Sequence, residues 1–199
     1  MSLESIIHQQ QETLQRWHQQ SSRDAEDLAE SLIERFQVHV AAELDGFVWD
    51  FADDFVTMIT AEWGDQYAHQ VDAHLQKTLG ALQSQLEAYI GDETPNYDQA
   101  SGELGQRSVY FCVDKSTFKN AFDQAKPGVL GMLLAPSMGD ERWEDWSAEQ
   151  NQKIRQSLKK ALSSTQTKIA RAIGKTLDDA YDEYAQGLAL LKPDVLVEA

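Results

Sequence analysis

Cysteine occurs once in the 199 residues, at Cys112. That excludes an intramolecular disulfide framework and any cysteine-based metal cluster, and makes a reducing cytoplasm the expected compartment. Proline occurs four times and glycine eleven, so few positions can interrupt a helix. No apolar run approaches the ~18 residues of a membrane span. Met1–Gln20 is glutamine-rich and lacks the apolar centre of a secretory leader.

Positive charge is also scarce, and it is unevenly placed. The formal net charge is −16. From Asp24 to Glu103, eighteen Asp and Glu face only Arg35 and Lys77, whereas the remaining residues hold fifteen acids and fifteen bases. Seven of those bases fall between Lys153 and Lys175, a segment with no acid. Phosphate repulsion argues against direct nucleic-acid binding by the acidic part. A negative surface instead steers basic partners towards it.

What the sequence has in abundance is helical periodicity. From Leu28 to Ile90, 17 apolar positions follow one another by fourteen steps of four and two of three. On one straight helix such a stripe would drift by roughly 440°. The helix must therefore break, change partners, or supercoil in the right-handed sense as a coiled coil of unusual period. Asp45-Gly46 and Gly64-Asp65 are the natural break points, and a change of direction near Gly64 is the preferred expectation. A first helix is expected over Ser2–Gln20, ending at Ser21–Asp24, with Ser22 or Asp24 capping the next. Gly91 followed by Pro95 closes the long helical region.

Beyond it, Arg107–Val113 reads as a strand, with Val195–Val197 a short candidate mate. Ser116–Ala125 reads as a short helix carrying Phe118 and Phe122. The Ser147–Gln150 spacing fits a capping box that opens a long C-terminal helix ending at Lys192-Pro193. The expected architecture is a single mainly α domain over 1–199. It is an elongated bundle of long amphipathic helices over 24–91 and 147–192, with an irregular head over 92–146 holding one or two short strands. Phe36, Leu44, Phe55, Ile59, Leu75, Leu82, Leu158, Leu162, Ile169 and Ile173 form the expected core. The basic segment Lys153–Lys175 should lie antiparallel to part of the acidic stretch, with opposite charge selecting the pairing.

Catalytic patterns are weak. Glu62, Asp65, His69 and Asp72 share a helix face and could offer oxygen and imidazole ligands, yet their spacing equally describes the solvated face of an amphipathic helix. Asp50, Asp53 and Asp54 have the same bland reading. Cys112 sits in an apolar run. No nucleophile elbow or phosphate-binding loop is present, since Gly174-Lys175-Thr176 lacks the earlier glycine.

Gly128–Pro136 stands out instead: an apolar run between prolines, followed by Trp143 and Trp146 among acids. Its expected setting is a buried loop capping the bundle, or else an exposed docking tip. These features point to a non-enzymatic, acidic helical binding module, accessory, chaperone-like or inhibitor-like, with a basic protein partner and no cofactor. Homo-oligomerisation is a further option. The candidate interaction surface is Asp45, Asp50, Asp53, Asp54, Leu130, Met132, Leu133, Trp143 and Trp146. The alternatives are a structural or membrane-associated stalk using Gly128–Pro136 as its tip, and, ranked below it, a carboxylate/His metal enzyme.

Overall fold

The computed structural model describes residues 2–45, 47, 49–91, 113–134 and 137–191. The chain is mainly α. Its helices are α1 (Leu3–Glu43), α2 (Ala52–Ile90), α3 (Lys115–Ala125), α4 (Val129–Leu134) and α5 (Asp140–Leu190), with a 3-10 turn at Trp49–Phe51 before α2. No strand occurs among the described residues. Of the expected strand only Val113 is described, buried in a bend. Residues 107–112, Val195–Val197 and the 192–193 terminus lie outside the described residues.

Helix α1 begins where Ser2 accepts a hydrogen bond from the Ser5 amide at 3.3 Å. It then runs through Ser21–Asp24 without the expected break. Ser21 is buried, and its hydroxyl donates back to the His18 carbonyl. The turn-forming side chain is thereby spent inside the helix. Gly64 does not interrupt α2 either. Trp63 and Tyr67, on either side, are almost fully buried, and that burial outweighs the ~1 kcal/mol a glycine costs in a helix. The change of direction falls between the end of α1 and the start of α2, next to Asp45 of the alternative break point. Phe51, expected within the apolar stripe, falls in this turn and is exposed.

Three long helices run side by side. Phe36 meets Trp63, with ring centroids 5.0 Å apart, and Gln10 meets Leu82, so α2 returns antiparallel along α1. Ala41 meets Arg155, His18 meets Asp178 and Gln10 meets Tyr184, so α5 is also antiparallel to α1 and parallel to α2. Among the described residues the α1–α5 pairing is the most extensive. Small residues allow the close approach: Ala25 and Ala29 on α1 oppose Ala170 and Gly174 on α5. The basic segment of α5 thus does lie antiparallel to the 24–43 part of the acidic stretch.

Charge takes a smaller part in that pairing than expected. The ionisable contacts between α1 and α5 gather at His18, whose ring nitrogens lie 3.1 Å from Asp178 Oδ1 and 3.0 Å from Asp182 Oδ1. Lys159, Lys160 and Arg171 are exposed and lie within 4 Å of no carboxylate among the described residues.

In α2 the buried positions from Val56 to Leu86 advance 30 residues in eight turns, or 3.75 residues per turn. A period above 3.6 favours right-handed winding. The expected core residues are buried, except Phe55, which is half-buried. Helix α3 completes the end of the bundle near the α1–α2 turn. Its N-cap is Asp114, which accepts from the Thr117 amide at 2.9 Å. Hydrogen bonds from Ser116 and Thr117 hold the Asp114 carboxyl below its usual range. Phe118 packs on Phe36 and Trp63, and Phe122 on Phe47, Trp49 and Phe55.

Helix α5 starts seven residues before the expected Ser147. Gly139 is extended at its N-cap, and Asp140 and Glu141 occupy the first turn, where carboxylates complement the helix dipole. Ser147 and Gln150 lie inside the helix, Gln150 buried. The described part of the expected irregular head is therefore largely helical.

Candidate functional site

Asn151 of α5 is level with Leu44 at the end of α1, donating to its carbonyl at 2.9 Å. The eleven residues of α5 before Asn151 thus project about 16 Å past that level. Trp143 and Trp146, three apart on one helix face, lie within this projection with ring centroids 5.3 Å apart. Helix α4 approaches Trp146 through Gly131: a Cβ added there would lie 3.6 Å from Pro127 Cβ and 4.0 Å from Trp146 Nε1. That short helix has no polar side chain. Met132 is half-buried, while Val129, Leu130 and Leu133 are 73–77% exposed and Leu134 is 50% exposed. The expectation of a buried loop at this segment is overturned, because α4 makes too few contacts with the bundle to cover its apolar face. Ala135 and Pro136 lie outside the described residues.

Acids rim this tip. Asp140, Glu141, Glu144 and Asp145 are all exposed and form no ion pair among the described residues. The Asp45, Asp50, Asp53 and Asp54 group is also exposed and lies at the same end of the bundle, around the α1–α2 turn. Part of it is engaged within the chain. Lys119 donates to Asp53 at 3.0 Å and Lys115 to the Thr57 hydroxyl at 2.8 Å, tying α3 to the start of α2. The Lys119 contact holds the Asp53 carboxyl below its usual range and raises the lysine. Asp50 and Asp53 share a cleft of about 130 Å³ with Lys119 and Lys126. Leu130, Met132 and Leu133 thus share the short helix that meets Trp146 through Gly131, Trp146 pairs with Trp143, and Asp50 and Asp53 lie beside α3 instead.

Val129 and Leu134, within the Gly128–Pro136 run but absent from the expected interaction surface, are exposed beside Leu130 and Leu133. The Glu62, Asp65, His69 and Asp72 quartet does not converge. Glu62 accepts from Gln66 at 3.0 Å and lies 3.9 Å from His39, whereas Asp65, His69 and Asp72 point outwards as exposed residues. Among the described residues no three His, Cys, Asp or Glu are grouped to hold a metal ion. No helix among them is long and apolar enough to cross a membrane. No protein-family model matches the chain, and no similarity to a curated protein or a solved structure is found.

Proposed function

We propose that the chain is a non-enzymatic, acidic helical binding module that grips a basic protein partner at the α4–Trp143 tip. One observation carries the reading: Val129, Leu130 and Leu133 leave most of their apolar surface in water, and Leu134 half of it, near a tilted pair of tryptophans. Contiguous exposed apolar surface of this kind marks interaction sites. Interfaces combine an apolar centre with a polar rim, and tryptophans commonly dominate their energetics. Here four carboxylates outnumber Arg142 in the first turns of α5, and that net negative charge attracts a basic partner and repels a second copy of the same tip.

The competing reading, a stalk that inserts this tip into lipid, uses the same leucines. Carboxylates around the insertion point oppose contact with an anionic membrane surface. A photo-crosslinker placed at Leu133 tests the assignment. Wild-type tip should capture a basic protein in a salt-sensitive manner, and Leu130→Asp with Leu133→Asp should abolish capture. Flotation with vesicles, without any protein crosslink, would favour the lipid reading.

A further inference from the structure

Helices α1, α2, α3 and α5 each bury apolar side chains, whereas α4 buries none. A single exposed apolar residue, such as Val38 on α1, is ordinary. Helix α4 instead exposes four together. With about 100° between residues, Val129, Leu130, Leu133 and Leu134 span an arc of about 140°. Gly131 and Met132, the half-buried pair, fall outside that arc. Helix α4 therefore turns Gly131 towards α5 and its apolar arc away from it. An arc this wide is what a helix normally lays against a neighbour, and among the described residues none covers it.

The backbone of α4 is closed as well. The Met132 amide donates to the Gly128 carbonyl at 3.2 Å, and the Ser137 hydroxyl donates to the Leu134 carbonyl at 2.7 Å. The arc thus offers a partner side chains and no backbone edge to pair with. An extended peptide laid across it would bury its own amides and carbonyls against valine and leucine, without partners. A helix satisfies its backbone internally and brings a matching apolar stripe.

We infer that the element seated on α4 is a basic amphipathic helix of the partner, packed across Val129, Leu130, Leu133 and Leu134. This rests on the reading of the tip as a docking site for a basic protein. Helix α4 is about 9 Å long, so it meets about two turns of the incoming helix, whose apolar residues recur at i, i+3, i+4 and i+7. Charge selects among helices. Asp140, Glu141, Glu144 and Asp145 face only Arg142 in the first turns of α5, so lysines and arginines flanking the apolar stripe are drawn there. The α4 arc of a second copy is equally apolar and helical, but it would bring the same excess of carboxylates with it.

The test is titration of the full chain with a leucine/lysine peptide of about four helical turns, leucines at the helical spacing, followed by methyl NMR and calorimetry. Two comparison peptides carry a central proline, which breaks the helix, or glutamate in place of every lysine. The leucine/lysine peptide should bind one-to-one, gain helicity and shift the Val129, Leu130, Leu133 and Leu134 methyls. Both comparison peptides should bind at least about tenfold more weakly. Leu130→Asp with Leu133→Asp, at exposed positions, should weaken the leucine/lysine peptide as much and leave the melting temperature unchanged. Equal binding of the proline peptide at the same methyls overturns the helix and leaves the basic-partner reading standing. Equal binding of the glutamate peptide, or no saturable binding of either lysine peptide, overturns both. Shifts confined to other methyls overturn the inference. So does self-association of the chain alone that the double aspartate variant abolishes, because a second copy would then cover the arc.

Discussion

The hydroxyl of Tyr184 on α5 donates to Gln10 Oε1 on α1 at 3.4 Å, while Gln10 Nε2 donates to the Leu82 carbonyl of α2 at 2.8 Å. One buried amide thus joins all three long helices at the end remote from the tip. Burial pushes the Tyr184 hydroxyl well above its usual pKa, with the nearby Glu87 adding to the shift, so it remains a donor. Gln10→Ala leaves that hydroxyl without its partner in the interior and should cost about 1–3 kcal/mol. Tyr184→Phe should cost about 0.5–1.5 kcal/mol. Urea unfolding measures both, and a Gln10→Ala protein as stable as wild type would refute the link.

The end of α1 is capped from α5. No basic residue occupies the last turn of α1, and its final carbonyls accept instead from Asn151 and Arg155. Asn151→Ala should lower stability by about 0.5–1.5 kcal/mol, and amide exchange should quicken at the α1–α2 turn. Unchanged exchange there would show that the turn holds itself.

His74 makes the fold sensitive to acid. Its Nε2 lies 3.3 Å from the Tyr181 hydroxyl, whose own pKa is pushed up to about 12, chiefly by burial. Burial lowers the His74 pKa; Asp24 opposes the shift and Lys77 adds to it. The unfolded chain takes up this proton near pH 6.5, whereas the folded chain resists it. The His74 contribution is therefore complete above about pH 6.5 and declines as pH falls through that value towards the lower folded pKa. Between pH 7.5 and 5.5 the urea midpoint should fall further for wild type than for His74→Gln. Parallel profiles would remove His74 from the account.

Gly174 tests the close approach of α1 and α5. A Cβ there would lie 3.5 Å from Ala25 Cβ, an ordinary contact. Gly174→Ala should therefore raise stability by about 0.5–1 kcal/mol. Gly174→Leu should cost about 1–3 kcal/mol by overpacking. Melting temperatures in opposite directions would bear this out; a leucine variant as stable as the alanine one would not.

The sequence by itself determined the helical class and the apolar periodicity on either side of the turn at Phe51. Helical periodicity is a local property, so the order of side chains is enough to read it. It also marked the apolar run at 128–136 and the tryptophans beside it. Only tertiary structure decided whether the weak helix formers at Ser21 and Gly64 would break their helices. Gly64 costs about 1 kcal/mol locally and Ser21 less, a sum easily outweighed when Ala25, Trp63 or Tyr67 is buried against another helix. Small residues facing one another across α1 and α5 set that contact, and their spatial opposition cannot be read from one strand of sequence. The same holds for α4 and Val38. Apolar residues are ordinarily buried, and only the placement of the neighbouring helices left these in water.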